Sequence, residues 1–416
     1  MQDHREQVWS IAHDRSGEGF LIAAFDHEGE LFELGREGKA TRGLPIYLSG
    51  LMDRADPATP RWSRRRVPTS ESKSVGWQLW EALPPPLRHS LQESGPPLHL
   101  KIATDITGVA DLPWEWLSDG TGSPFALRPS VRLVRSVLAR FPVPSLSVVL
   151  PLRILLLVPN PKDERLLDAY TEITTVTGQL RPSDYQVRVL EEASVEAMAR
   201  ELTEWLPHVV HYIGHGGLTH GEGNLIFNGP ESRSRWVGAT ELGRLLPSSV
   251  RLICLSTCFT TRNYQILGLS HLGRAPGLVE LPTTLANQFP VSQAAVRAFW
   301  DAFYSALTEH GGSATEAVYQ ARVATAAADP DFADWASFSL AVRDQTGVPF
   351  AIGRTSDDPR RRRSTELKAQ FAAQLANDLA AQVEVLGEDT PGSLREQFET
   401  EQTRAAGLLD ELSKEG

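Results

Sequence analysis

The sequence predicts an α/β protein, a mainly parallel sheet flanked by helices. Three observations carry that class. Short apolar runs at 152–158, 208–213 and 251–255 read as strands buried on both faces. Helical periodicity fills the intervals, most plainly after Ser194, where Val195, Met198, Leu202 and Trp205 share one face. Strands and helices alternating in this rhythm pack as a parallel sheet with helical cover. Finally, 416 residues with 41% hydrophobic content can bury a large core and form two or three domains.

In chain order, 19–25 and 30–34 read as a β-hairpin joined through Asp26-His27-Glu28-Gly29. Residues 52–75, rich in Pro, Ser and Arg, read as a loop, and 75–83 as a helix ended by Pro84-Pro85-Pro86. The α/β rhythm begins at 98. Strands are expected at 98–103, 131–134 and 152–158, with a dense aromatic turn at 112–117. A helix over 168–180 and a strand over 186–190 follow, then a helix capped by Ser194. Strands at 208–213 and 251–255 precede two amphipathic helices, 291–309 and 313–328. Beyond Gly353, Leu367, Phe371, Leu375, Leu379 and Val383 recur every fourth residue, and Leu394, Phe398 and Leu408 mark a second helix after a turn at 388–392. This reads as a helical hairpin with one apolar face. The expected organisation is an N-terminal, β-containing accessory layer at 1–94, a central domain at 95–353 and the hairpin at 354–416.

Charge narrows the function. A net charge of −11 disfavours nucleic acid as the main partner, because phosphate binding needs a basic field. The runs Arg64-Arg65-Arg66 and Arg360-Arg361-Arg362-Arg363 lie in Pro/Ser/Asp-rich surroundings and read as solvated linkers. No Gly-rich phosphate loop follows any strand, which weighs against a nucleotide-binding protein. The polar start, with Asp3, His4, Arg5 and Glu6, does not read as a signal peptide. The longest apolar stretch, 146–158, is broken by Pro151 and Arg153 and is too short to span a bilayer, so no membrane partner is expected. Cys254 and Cys258 are the two cysteines, four apart on one strand end, an awkward placement for a disulfide. A reducing cytoplasm fits these features and would keep a thiol available.

Two strand ends carry the chemistry. The run 208–213 breaks at Gly214 before His215-Gly216-Gly217, and 251–255 breaks before Ser256-Thr257-Cys258. Catalytic groups of open α/β sheets gather beyond the carboxyl ends of such strands. If these strands are neighbours, His215 and Cys258 share one cleft, as a thiol nucleophile and its acid/base require. Gly216 and Cys258 are the natural pair of backbone donors for an oxyanion. Ser256 and Thr257, small and flexible, can line a substrate pocket. Cys254, inside the apolar run, reads as a buried small hydrophobe. His208, His211, His215 and His220 cluster in sequence, but His208 and His211 point to opposite faces of a strand and no zinc spacing surrounds them. Neither a metal nor a cofactor is expected.

Read together, 209–216 and 252–258 resemble the CHAT family of caspase-like cysteine proteases. Leu112-Pro113-Trp114-Glu115-Trp116-Leu117 is similar to a segment that the family shares with separases. Gly238-Ala239-Thr240-Glu241-Leu242, 281–292, 298–304, 317–322 and 335–338 match further family elements in the same order. Collinear matches of this kind are far more specific than one motif. The resemblance covers about 95–353 and implies a caspase-like fold that hydrolyses peptide bonds through an acyl-enzyme. It assigns Cys258 as nucleophile and His215 as acid/base, with oxyanion amides from Gly216 and Cys258 and a structural role for His211.

The same resemblance implies an effector of bacterial defence or cell death that cuts a protein partner, encoded beside it in some systems. The terminal helices would then hold a regulatory partner. Metacaspases carry an Asp two residues before the Cys, where this chain has Ser256, and the acid of separases is missing from 288–293. A basic P1 side chain needs a buried counter-charge. A small-polar or apolar P1 is therefore expected, with Asp105 and Glu115 the acids that would overturn it. The competing reading is a non-catalytic adaptor of the same fold.

Overall fold

The computed structural model describes residues 5–13, 20–25, 31–35, 66–93, 95–104, 112–136, 145–164, 169–178, 180–219, 222–257, 283–342 and 347–353, with positions 395, 399, 400, 402 and 403. The chain divides into two compact units, Met1–Val143 with Pro151–Pro349, and Pro144–Leu150 with Phe350–Gly416.

The described strands are β1 (Arg5–His13), β2 (Phe20–Phe25), β3 (Leu31–Gly35), β4 (Leu98–Thr104), β5 (Val131–Ser136), β6 (Leu146–Val149), β7 (Leu152–Val158) and β8 (Tyr185–Glu191). They continue as β9 (Val209–Gly214), β10 (Gly216–Thr219), β11 (Glu222–Asn228), β12 (Ser234–Gly238), β13 (Leu252–Thr257), β14 (Thr283–Asn287), β15 (Phe338–Val342) and β16 (Phe350–Gly353). The helices are α1 (Thr69–Ala82), α2 (Pro85–Gln92), α3 (Tyr170–Gly178), α4 (Val195–Trp205), α5 (Ala239–Leu245), α6 (Gln293–Glu309) and α7 (Ala314–Ala328).

Eleven strands of the first unit form one sheet in the order β3-β2-β1-β4-β5-β15-β14-β13-β9-β7-β8. Its pairings are parallel except β1–β2, β2–β3 and β14–β15, which fits the expected α/β class. A second sheet of three antiparallel strands, β10-β11-β12, grows from the end of β9. In the second unit β6 and β16 pair in parallel, Leu146 opposite Phe350. The helical hairpin expected at 354–416 lies outside the described residues, apart from five scattered helical positions.

Alternation along β9 and β13 sends side chains to two helical layers. Val210, Tyr212, Ile253 and Leu255 pack with Met198, Leu202 and Trp205 of α4. On the other face His211 stacks on Trp300 of α6, with ring centroids 4.3 Å apart. Ser194 caps α4 as expected, its hydroxyl accepting from the Ala197 N–H at 3.1 Å. Ser292 and Ser313 do the same for α6 and α7.

The N-terminal region, read from sequence as a small accessory layer, contributes three strands to the main sheet. β1, which sequence reading missed, pairs in parallel with β4, so these strands extend the main sheet across the 94/95 boundary. The antiparallel hairpin of β2 and β3 is as expected, and its turn lies outside the described residues. Arg66 also departs from its reading as part of a solvated linker. It pairs with Asp334 at 2.7 Å and with Asp329, and lies over the Phe332 ring at 3.8 Å. The remainder of both arginine runs lies outside the described residues.

The aromatic turn is a 3-10 turn, Trp114–Trp116, buried completely. α1 packs on it through Gly76, where an added Cβ would stand 1.9 Å from the Trp116 carbonyl oxygen. That close approach excludes any larger residue.

Candidate active site

β9 and β13 are adjacent and parallel, in register from Val209 opposite Leu252 to Gly214 opposite Thr257. His215 follows Gly214 directly, and Cys258 follows Thr257. The described part of β13 ends at Thr257, and Cys258 lies outside the described residues. Neighbouring strands lie about 4.8 Å apart, and Gly214 and Thr257, the residues before His215 and Cys258, are paired across them. The register therefore brings the described ends of β9 and β13 to the same level of the sheet. Ser256 and Thr257, read from sequence as small flexible residues able to line a pocket, are buried members of β13 opposite Ile213 and Gly214. The apolar run ends at Leu255, where the pairing with β14 also ends, but the ladder with β9 continues through Ser256 and Thr257.

His215 is a buried, one-residue joint between β9 and β10. Its carbonyl accepts from the Ile226 N–H at 3.0 Å and faces the Tyr212 hydroxyl at 2.6 Å. The Ile226 bond makes Gly216 and Leu225 a non-hydrogen-bonded pair of the antiparallel ladder. The Gly216 N–H accordingly points away from β11. Burial pushes the Tyr212 phenol well above its ordinary pKa, so the hydroxyl stays protonated and can donate.

Behind the two strand ends runs a buried polar chain. His211 and Cys254 sit directly opposite each other, four residues before His215 and Cys258. The His211 ring nitrogens lie 2.9 Å from the Tyr304 hydroxyl and 3.0 Å from the Glu172 carboxylate. The same Tyr304 hydroxyl donates to the Cys254 sulfur at 3.8 Å, and the Tyr304 carbonyl accepts from Tyr185. α6 thereby clamps β8, β9 and β13 together. Burial raises the Cys254 thiol far above the ordinary range, which makes it an inert core residue, as the sequence suggested. His208 accepts from the Arg153 N–H, and burial with the nearby Arg153 charge lowers its pKa to about 4. Among the described residues no group of three or more His, Cys, Asp or Glu could hold a metal ion. His220 lies outside them.

One strand further along the edge, the end of β14 carries Asn287 and Gln288 follows it. Gln288 Nε2 donates to Glu115 at 3.0 Å, and its Oε1 accepts from Arg135 at 3.2 Å. Glu115 also accepts from Arg135 at 2.6 and 3.0 Å and from Ser339 at 2.8 Å, with Arg322 at 3.5 Å. Burial alone would raise the Glu115 carboxyl; the arginine charges and these hydrogen bonds outweigh it and hold the pKa at about 2. Burial draws Arg322 down to about 10. Glu115 is thus consumed by internal arginines. Asp105, the other acid considered for P1, lies outside the described residues.

A family model, the CHAT domain, matches residues 73–344, more than half of the chain. The chain belongs to the CHAT domain family. The match starts before the expected boundary at 95 and takes in α1 and α2, consistent with Gly76 packing on the aromatic turn. No curated protein matches the sequence. Among solved structures, a chain of the Saccharomyces cerevisiae separase–securin complex at 3.0 Å shows 11% identity over 81% of this chain, with a TM-score of 0.45. The same complex at 2.6 Å gives 11% identity over 84% of this chain, with a TM-score of 0.41. This chain spans 30% of the matched chain in both. Among the described residues no helix is long and apolar enough to cross a membrane.

Sequence reasoning missed Tyr212, Tyr304 and Glu172 as supports of the site. Tyr212 carried a local signal: an aromatic two residues before a glycine and three before the histidine. Tyr304 and Glu172 reach the strands from distant helices and left none.

Proposed function

We propose that this CHAT domain is a cysteine endopeptidase acting through Cys258 and His215. The observation that carries the reading is the β9–β13 register, which brings the residues before the two groups level on adjacent parallel strands. In the first step the Cys258 thiolate attacks the scissile carbonyl carbon. The resulting oxyanion is met by the N–H groups of Gly216 and Cys258, the former turned away from its own ladder. Protonated His215 gives its proton to the leaving amine as the C–N bond breaks, leaving a thioester. Water then attacks the thioester while His215 takes its proton; the C–S bond breaks, and the acid product and the thiolate are released. No metal or cofactor enters the scheme.

The P1 residue is small and polar or apolar. Glu115 is neutralised by Arg135 and Arg322, so it offers no counter-charge to a basic side chain. Asn287, which follows the Ala286 that pairs with Leu255, carries a buried neutral acceptor whose oxygen has no hydrogen-bond partner among the described residues. Ser256 and Thr257 complete the substrate side of the site. The substrate is a protein, encoded beside the chain, and the setting is bacterial defence or cell death in the cytoplasm. Residues 354–416 hold a regulatory partner; a truncation there that left cleavage and its control unchanged would remove this part of the reading.

The test is co-expression with neighbouring genes and mapping of new N-termini by mass spectrometry. Wild type should yield discrete new termini that follow a residue other than Arg or Lys. Cys258→Ala should yield none, and His215→Ala should slow cleavage about 10³-fold. Identical termini with Cys258→Ala would establish the non-catalytic adaptor instead, and cuts after Arg or Lys would reject the P1 assignment.

A further inference from the structure

We propose that Tyr212 is a positioning residue that fixes the His215 joint through its buried hydroxyl. The inference rests on the reading of His215 as the acid/base. β9 belongs to the main sheet and β10 to the small one, and His215 is the single residue between them. Any rotation of that joint swings the imidazole relative to β13. Two strand ladders hold the flanking residues, and the Ile226 N–H reaches the joint's own carbonyl at 3.0 Å; a side-chain restraint adds to these.

The Tyr212 side chain supplies it. Its phenol folds forward over Gly214, so that a Cβ on residue 214 would stand 2.4 Å from the phenol carbon and oxygen. The hydroxyl reaches the His215 carbonyl at 2.6 Å and the Ile226 carbonyl at 2.7 Å, and it accepts from the Ile226 N–H at 3.2 Å. One phenolic proton is therefore shared between two carbonyls, that of the joint itself and that of Ile226 on β11. Because Ile226 N–H also donates to the His215 carbonyl, Tyr212, His215 and Ile226 form one closed hydrogen-bonded unit. Packing does not require the oxygen: the ring is buried against Phe227, with centroids 5.5 Å apart, and a phenylalanine would fill that space equally. The glycine at 214 and the hydroxyl at 212 act together, the first making room for the second.

The test needs no substrate. Iodoacetamide alkylation of Cys258 in the full chain, followed by mass spectrometry, reads the fraction of thiolate that His215 supports. At about pH 6 an unassisted thiol reacts slowly, whereas at about pH 9.5 it is ionised without help. Tyr212→Phe should fold, as a cooperative melt shows. It should lower the alkylation rate at the acid pH by about ten- to a hundredfold, the scale of a misplaced catalytic group, and leave the alkaline rate unchanged. A Tyr212→Phe protein that reacts like wild type at both pH values overturns the inference while leaving the dyad intact. Equal losses at both pH values also overturn it, because they mark a general change of access. If wild type and His215→Ala react alike at the acid pH, the dyad reading falls, and the positioning role falls with it.

Discussion

Glu115 shows how a residue that resembles a functional acid is instead committed to structure. Its carboxylate is buried completely and receives four hydrogen bonds from Arg135, Gln288 and Ser339, with Arg322 beside it. The carboxyl, ordinarily at 4.5, is held at about 2 in the folded chain. A depressed folded value means that its stabilisation is complete above the unfolded value and fades as pH falls from about 4.5 towards 2. Glu115→Gln should cost about 3–5 kcal/mol near neutral pH, since two buried arginines lose their counter-charge. It should also flatten the acid decline in that window. Urea midpoints measured at about pH 7 and about pH 3 check both statements; a variant that declines with acid as steeply as wild type would contradict them. At the same scale, two placements were legible from sequence: His215 just past the end of β9, from the break at Gly214, and Cys254 in the core, from its apolar run. The Glu115 partners were not, because Arg135 of β5 is met there by Gln288 after β14, Arg322 of α7 and Ser339 of β15, all more than 150 residues further along the chain.

Among the elements, those buried on both faces were the ones the sequence displayed. β7, β9 and β13 are mostly apolar runs, and α4 announces itself by its Ser194 cap and apolar stripe. β1 escaped because it carries only Trp9 and Ile11 as large buried apolar residues, and its partner β4 lies ninety residues away. The strands β10 to β12 escaped because Gly216, Gly217, Gly223 and Asn224 lack strand propensity; pairing in three dimensions overrides that preference. The contact between α1 and the aromatic turn gives a prediction of its own. Gly76→Ala would drive a methyl group into the Trp116 carbonyl, and backbone cannot rotate aside as a side chain can. The expected cost is about 1–3 kcal/mol, read as a lower melting temperature. An unchanged melt would mean that the turn and helix are not held at this spacing.

For the molecule as a whole, an α/β sheet covered by helices was legible, and the family match from 73 to 344 fits the collinear motifs that suggested it. The extent of the sheet was not. β15 joins the half that holds β9 and β13 to the half that holds β1, β4 and β5, so one ladder runs through the whole first unit. Such a join depends on pairing between distant segments, which periodicity along the chain does not encode. In that sheet β9 and β13 present their described ends side by side. The central claim is that the ends meet as a working thiol–imidazole pair. The rate at which Cys258 is alkylated at about pH 6, compared between wild type and His215→Ala, tests that most directly. The account predicts a rate at least about tenfold faster in wild type, with Cys254 unmodified in both. Equal rates in the two proteins would contradict it.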